Sequence, residues 1–310
     1  MTCYAVGGLI VDSELPLPEL PVRGRAIHSQ STLRVLARAP AVDGLGRVFE
    51  ARLDDGREWM VGLRARDEYV VRFPELALFT LSFDGRSIGV YASTAAPAAT
   101  IRHLYLDQVL PLALSLRGDL VLHAAAIVTA AGAAAFVGDT GEGKSTLAAS
   151  FARAGVPPLA DDCLIVRERA GELLAMTSYP GLRLWPDAIA SLAIEPAGAT
   201  PVAHYCDKQR VPGEGAVIDT AVPLRRIYVL APDAVDDDVR IETMSGRDAV
   251  VQLLKHAYRI TSGDAEAAAA ELAQIARVCC LCGVERLTYP RSFAALGSVR
   301  TAVLEDLARV

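Results

Sequence analysis

The chain has 310 residues, of which 52% are hydrophobic, and its formal net charge is −6. This length suits two domains or one large one, and the apolar content is ample for a packed core. The negative charge argues against a general nucleic-acid binder, which normally carries a basic face. No apolar run reaches the roughly 18 residues of a membrane helix, so we expect no membrane partner.

The beginning of the chain lacks a basic stretch and a cleavage site of the kind that signal peptides contain. We therefore expect no signal peptide and a cytoplasmic protein. The first 96 residues predict a β-rich region, because short apolar runs alternate with turn signals. The predicted strands are Tyr4–Val11, Leu33–Ala37, Trp59–Arg64, Tyr69–Phe73, Leu76–Phe83 and Ser87–Tyr91.

Pro97 suits the start of a helix, and the spacing of apolar residues predicts that this helix covers Ala98–Arg117. Pro111 should kink it or divide it in two, because proline cannot donate the helical hydrogen bond. We place a domain boundary between residues 96 and 97.

From Leu120 onward, predicted strands and helices alternate. This order is typical of α/β architecture with a ligand at the carboxyl end of a strand. The predicted strands are Leu120–Ala130, Ala133–Val137, Leu159–Arg167 and Arg226–Leu230. The predicted helices are Thr146–Ala154, Pro186–Leu192, Arg247–Tyr258, Ala265–Cys280 and Phe293–Ala308. The predicted fold class is therefore α/β, with a β-rich N-terminal region over residues 1–96 and an α/β domain over residues 97–310.

The stretch GDTGEGKS, residues 138–145, fits the P-loop pattern G-x-x-x-x-G-K-[ST]. Its glycines permit positive φ and a close approach of the backbone, whose N–H groups can then surround a phosphate. Lys144 is expected to reach the β- and γ-phosphates of ATP, and the Ser145 hydroxyl to bind Mg²⁺. A glycine-rich surface turn before a helix is the alternative. The predicted nucleotide-binding residues are Gly138, Asp139, Thr140, Gly141, Glu142, Gly143, Lys144, Ser145 and Thr146.

Two adjacent carboxylates, Asp161 and Asp162, follow the mostly apolar run Val156–Ala160. Neighbours in a strand point to opposite faces, so we expect one carboxylate near Mg²⁺ and the other near an acceptor hydroxyl. An ordinary carboxylate is a sufficient base, because positioning and charge neutralisation dominate phosphoryl transfer. An Asx turn or a helix cap is the alternative. His123 ends the run Leu120–Leu122 and is either a core histidine or a further functional group.

A second group of basic residues lies in CDKQRVPGEG, where Lys208 and Arg210 form a cationic pair in a predicted loop. These residues could reach the γ-phosphate as an arginine finger does, or bind a carboxylate of the acceptor. A solvated loop is the remaining alternative. Arg183 and Trp185 are predicted to line the acceptor cleft, with a packed tryptophan as the alternative. Lysine is scarce, and Lys255 is the only one besides Lys144 and Lys208.

The segments LHAAAIV, FVGDTGEGKST and LADDCLIV, all within residues 120–166, resemble the catalytic core of the HPr kinase/phosphorylase family. The resemblance implies a P-loop kinase domain over residues 97–310 that uses ATP and Mg²⁺. It implies that Asp162 is the base, Asp161 its neighbour on the metal side and His123 a supporting histidine. Lys144 would then hold the phosphates, and Ser145 would bind Mg²⁺.

The chain departs from that family after the aspartate pair, where the family's glutamate-bearing signature is not visible. Its phosphorylase loop is only faintly echoed at Ser245–Asp248. The segments Leu9–Leu20, Pro180–Pro186 and Asp207–Pro212 are instead similar to those of shorter HPr-kinase-like proteins, which resemble the tailoring kinases of lasso-peptide biosynthesis.

This second resemblance implies an ATP-dependent serine kinase that acts on a peptide or small protein, at the C-terminal Ser of a lasso-peptide precursor. The alternatives are an HPr-type protein serine kinase, a plain ATPase, and a non-catalytic regulatory module that binds nucleotide. Nucleic acid is not expected as a partner, and the sequence leaves a homo-oligomer open.

Overall fold

The structure is a computed structural model, and it describes residues 1–24, 29–53, 55–177, 179, 181–195, 197–212, 220–232, 238–260 and 265–309. These residues form a mixed α/β fold with three sheets, divided into two compact units. The first unit comprises Met1–Asp119, Ala203–Tyr205 and Tyr258–Ala270, and the second comprises Leu120–Val202, Cys206–Ala257 and Glu271–Val310. Within the described residues, no helix combines the length and apolar character needed to cross a membrane.

The first unit contains a nine-stranded sheet with the order β3-β1-β2-β4-β9-β8-β7-β6-β5. Its strands are β1 (Thr2–Val6), β2 (Leu9–Ser13), β3 (Val22–Arg23), β4 (Ser31–Val35), β5 (Gly46–Arg52), β6 (Glu58–Arg64), β7 (Glu68–Phe73), β8 (Ala77–Ser82) and β9 (Ser87–Ala92). The predicted single strand Tyr4–Val11 is instead a hairpin of β1 and β2. Gly7 and Gly8, both with positive φ, turn the chain between them.

The helical segment after Pro97 also belongs to the first unit, so this unit extends beyond the predicted boundary at residue 96. It consists of α1 (Ala98–Leu104), a π-helical turn (Tyr105–Val109) and α2 (Leu110–Leu116). Pro111 is the second residue of α2, and the backbone N–H just before it, that of Leu110, bonds to the Tyr105 carbonyl across the π-helical turn. The expected interruption of the helix is thus a π-helical turn just before the proline.

The second unit contains a nine-stranded sheet and a three-stranded sheet. The larger sheet has the order β10-β14-β15-β19-β12-β11-β13, with β21 beside β19 and β20 beside β21, and the smaller has the order β16-β18-β17. The strands are β10 (Leu120–Leu122), β11 (Ala124–Thr129), β12 (Gly132–Val137), β13 (Pro158–Ala160), β14 (Leu164–Arg169), β15 (Glu172–Thr177), β16 (Leu182–Leu184), β17 (Thr200–Ala203), β18 (Cys206–Val211), β19 (Val222–Ala231), β20 (Arg240–Thr243) and β21 (Gly283–Thr288).

The remaining helices pack on both faces of the larger sheet. They are α3 (Lys144–Arg153), α4 (Pro186–Ser191), α5 (Gly246–His256), α6 (Ala265–Leu281) and α7 (Leu296–Leu307), with a short 3₁₀ turn at Phe293–Ala295. Alternate residues of β12 point to opposite faces. Ala135 packs in the cluster that includes Leu253 of α5, whereas Phe136 packs in the cluster that includes Leu147 of α3. The strand is therefore buried on both sides, and the chain leaves its carboxyl end directly into the glycine-rich loop.

Candidate active site

The glycine-rich loop, residues 138–143, joins β12 to α3. Gly141 and Gly143 have φ values of 88° and 92°, in the left-handed region that favours glycine. A Cβ on Gly138 would displace the Glu142 carboxylate and would lie 3.3 Å from the Cβ of Leu230. The conformation of the loop therefore depends on its glycines, and its backbone can come close to a ligand.

Lys144, the first residue of α3, lies inside this loop and is only 5% exposed. Its Nζ donates hydrogen bonds to the carbonyl oxygens of Gly138, at 2.7 Å, and Asp139, at 3.0 Å. Burial lowers the pKa of Lys144, and the nearby charges of Asp162 and Asp161 oppose that effect. A phosphate entering the loop would compete with the two carbonyls for this ammonium group.

Residues from distant parts of the second unit support the loop from outside. Lys255 Nζ lies 2.6 Å from Asp139 Oδ2 in an exposed ion pair. The Tyr289 hydroxyl donates to the Glu142 carbonyl at 3.1 Å, and Arg291 Nη2 donates to the Gly141 carbonyl at 2.7 Å.

Sequence reasoning missed Tyr289 and Arg291, because both follow β21, a strand that was not predicted. The scarcity of lysine was a usable signal for Lys255, since all three lysines of the chain lie near the glycine-rich loop or the aspartate pair.

Asp161 is 1% exposed and lies between two donors. Its Oδ1 accepts a hydrogen bond from Ser145 Oγ at 2.7 Å, and its Oδ2 accepts one from the backbone N–H of Arg183 at 2.6 Å. Burial raises the pKa of Asp161, and the neighbouring Asp162 raises it further. The Arg183 charge acts in the opposite direction.

A hydroxyl and a carboxylate in contact are oxygen donors of the kind that Mg²⁺ takes in addition to phosphate and water oxygens. Ser145 and Asp161 therefore fit a Mg²⁺ ion. Across the part of the chain that the structure describes, there is no cluster of three or more His, Cys, Asp or Glu side chains able to hold a metal ion. A metal at this site would accordingly depend on its ligand phosphates.

Asp162 faces a different partner, since its Oδ1 lies 3.4 Å from His123 Nε2. Burial is the largest single influence on the pKa of Asp162 and tends to raise it, whereas the hydrogen bond and charge of His123 lower it. The charges of Arg183 and Lys208 also lower this pKa, so that it lies well below the usual range. The backbone N–H of His123 donates to the carbonyl of His256 at 2.8 Å, which fixes the chain between β10 and β11.

The two carboxylates thus face different groups, but not for the reason expected. They lie in a bend between β13 and β14 and not within a strand. Asp162 has a left-handed φ of 62°, which is unusual for a residue with a side chain. The turn of the backbone at Asp162, and not strand alternation, separates the directions of the two side chains.

Lys208 and Arg210 lie on the strand β18, which corrects the prediction that they occupy a loop. Arg210 is the register partner of Arg183 on β16, and both guanidinium groups lie against the Tyr179 ring. Their centres are 5.4 Å and 4.0 Å from the ring centroid. Lys208 Nζ lies 5.6 Å from the ring centroid of Trp185.

The structure also changes the expected role of Arg183, whose side chain is fully buried. Its Nη1 donates to the carbonyl oxygens of Asp161, at 3.0 Å, and Gly181, at 2.9 Å. Arg183 is therefore engaged inside the protein and does not line an acceptor cleft. Trp185 is 42% exposed, so it can contact a ligand. Pro180, the first residue of the Pro180–Pro186 segment, lies outside the described residues.

No protein-family model matches the chain, and a search of curated protein sequences gives no match. Among solved structures, the chain is similar to the Hpr(Ser) kinase/phosphatase from Coxiella burnetii. The sequence identity is 11%, the match covers 61% of this chain and 97% of that chain, and the TM-score is 0.33. A likeness at this TM-score carries no conclusion about activity.

Proposed function

We propose that the protein is an ATP- and Mg²⁺-dependent serine kinase whose acceptor is a peptide or small protein. The observation that supports this most directly is the Asp162–His123 pair, held beside the glycine-rich loop. A protein that only binds nucleotide has no need for an ionised carboxylate next to the phosphate site. Asp161 and Ser145 support the same proposal as a matched pair of Mg²⁺ ligands.

In the proposed reaction, the loop N–H groups and Lys144 bind the β- and γ-phosphates of ATP. Bound Mg²⁺ would supply neutralisation of phosphate charge. Asp162 orients the acceptor hydroxyl and accepts its proton as the serine oxygen bonds to the γ-phosphorus. The bond from that phosphorus to the β–γ bridging oxygen breaks, and ADP leaves with the electron pair. A strongly acidic carboxyl group suffices here, because phosphoryl transfer depends mainly on positioning and charge neutralisation.

We further propose that the acceptor lies beside β16 and β18, where aromatic and cationic groups are partly exposed. Lys208 and Arg210 can bind a terminal carboxylate, an interaction of roughly 1–3 kcal/mol when charge-assisted. The exposed ring of Trp185 offers an apolar contact next to them. Together with the sequence resemblance, these groups favour the C-terminal Ser of a lasso-peptide precursor as the acceptor.

The test is incubation of the protein with ATP, Mg²⁺ and a candidate precursor peptide, followed by fragmentation mass spectrometry. We expect one phosphate on the C-terminal Ser and a slower reaction when the peptide's C-terminus is amidated. Equal rates for the two peptides would remove the carboxylate part of the proposal. Phosphorylation of HPr without peptide activity would favour an HPr-type kinase, ATP hydrolysis alone an ATPase, and binding without turnover a regulatory module.

A further inference from the structure

Arg183 is a buried charge at the centre of the site, and no step of the proposed reaction uses it. Its side chain has 0% exposure, as does that of Asp161. Its Nη1 lies 3.9 Å from Asp161 Oδ2, and its Nε lies 3.8 Å from Asp162 Oδ2. Removing a guanidinium from water is costly unless it is well paired, and such pairs often give no net stability over apolar residues. A role in the function of the site is therefore a better explanation than stability.

Two hydrogen bonds connect Arg183 with Asp161, and they act on different parts of it. The backbone N–H of Arg183 occupies Oδ2 of the carboxylate, which leaves Oδ1 for Ser145. The Nη1 group holds the backbone carbonyl of Asp161 at 3.0 Å. One residue thus fixes both the side chain and the main chain of the aspartate expected on the metal side.

The carbonyl of Asp161 belongs to the peptide unit that precedes Asp162, and the orientation of that unit helps define the φ of Asp162. This φ is left-handed at 62°, a conformation that is unfavourable for a residue with a Cβ. The Nη1 contact holds the peptide unit in this orientation, and Nε faces the carboxylate that results. The turn directs Asp162 toward His123 and away from Ser145.

We infer that Arg183 is a positioning residue, which holds the Asp161–Asp162 turn so that one carboxylate faces Ser145 and the other faces His123. This inference rests on the proposed function. Arginine suits the task because its rigid planar group can bind a carbonyl and a carboxylate at once and stack on an aromatic ring. Tyr179, 4.0 Å from the guanidinium, provides that ring.

The test compares R183M and R183K with R277M, which removes an exposed arginine paired with Glu168 in the same unit. The readouts are the affinity for ATP with Mg²⁺ by calorimetry, kcat with the peptide acceptor, and urea unfolding. Misplacement of reacting groups by about 1 Å can cost about 100-fold in rate. We expect R183M to lose about 100-fold in kcat with ATP affinity changed less than about threefold, and R183K to recover about tenfold of that loss. R277M should match the wild type.

A folded R183M with kcat within threefold of the wild type would overturn the inference, as would equal losses of kcat and ATP affinity. Should R183M fail to fold, R183K decides: reduced kcat at unchanged ATP affinity supports positioning, and wild-type kcat overturns it.

Absence of phosphoryl transfer in the wild type would contradict the proposed function instead. In that case, a double-mutant cycle of R183K and D162N in urea unfolding tests the contact itself. Coupling between the two changes supports it, and additivity overturns it.

Discussion

We expect nucleotide binding to depend most on Lys144, because its buried ammonium group donates hydrogen bonds to two carbonyls of the glycine-rich loop. We expect Lys144→Ala to abolish detectable transfer and to weaken ATP binding by at least about tenfold, since one charge-assisted contact contributes about 1.5–3 kcal/mol. Calorimetric titration with ATP and Mg²⁺ measures this. Lys255→Ala is the comparison, since its exposed ion pair with Asp139 should matter less than about threefold. Normal turnover in the Lys144 variant would exclude the P-loop assignment.

The neighbouring carboxylates allow a comparison in which each variant is the control for the other. Asp162→Asn should keep the ATP affinity and lose at least about 100-fold in kcat, because it removes the proposed proton acceptor without changing the shape of the side chain. Asp161→Asn should instead raise the Mg²⁺ concentration needed for half-maximal rate, because it weakens the partner of Ser145. Titrations of rate against Mg²⁺ separate the two effects. The reverse pattern would mean that the two roles are exchanged.

At the scale of elements, a glycine with left-handed φ lies just outside each end of α3, and these two positions offer a matched pair of variants. Gly143 precedes the helix with φ 92° and Gly155 follows it with φ 84°, and an added Cβ meets no atom closer than 3.7 Å at either. Alanine at either position should therefore cost a similar 1–2 kcal/mol of unfolding free energy in urea. Only Gly143→Ala should also weaken ATP binding, because only Gly143 shapes the loop. Equal ATP affinities would contradict this.

The segment from β12 to α3 could be predicted from the sequence because local residues determine it. Ala133–Val137 is an uninterrupted apolar run, and glycines mark the loop that follows it. The helix starts at Lys144, two residues before the predicted Thr146, because the left-handed turn at Gly143 directly precedes its first turn. By contrast, β18 and β21 were not predicted. Both are only six residues long and contain consecutive polar or charged residues, Asp207–Arg210 in β18 and Glu285–Arg286 in β21. Neither therefore shows the alternation that predicts a strand, and pairing with other strands decides their structure.

The same dependence on residues distant in the sequence explains why Arg183 was predicted to line the acceptor cleft. Its neighbours in the chain suggest an exposed loop, and its burial results from the two aspartates, 21 and 22 positions earlier, that surround it. A charged residue is buried when a partner from elsewhere compensates it, and a single sequence does not show which residues will meet.

At the scale of the whole molecule, both units are assembled from segments that alternate along the chain. In the first unit, His204 Nδ1 lies 2.8 Å from Thr100 Oγ1, and the Tyr258 hydroxyl donates to the Asp107 carbonyl at 3.0 Å. These contacts attach residues from late in the chain to α1 and to the π-helical turn that follows it. A fragment ending at residue 119 would lack them, so a cut there does not correspond to a structural boundary.

Global stability should depend on pH through His256, which is 6% exposed. Burial lowers its pKa to about 4, whereas the unfolded chain binds the proton near its ordinary value of 6.5. The neutral form therefore stabilises the protein fully above about pH 6.5, and up to about 3 kcal/mol is lost as pH falls toward 4. Urea unfolding at a series of pH values measures this. The His256→Gln variant has no imidazole to titrate, so its unfolding free energy should change less with pH between about pH 4 and 6.5. An unchanged dependence on pH would mean that other groups cause it.

The gathering of Lys144, Lys208 and Lys255 at one site has a practical consequence for chemical labelling. In most proteins an acylating reagent modifies many scattered amines, but in this chain all three lysine side chains lie near the glycine-rich loop or the aspartate pair. Apart from reaction at the α-amine of the exposed Met1, such a reagent therefore labels the candidate site selectively. The order of modification should follow exposure, with Lys255 first and the buried Lys144 last. Protection of these amines by ATP, read by peptide mapping, would report occupancy of the loop without any assay of catalysis.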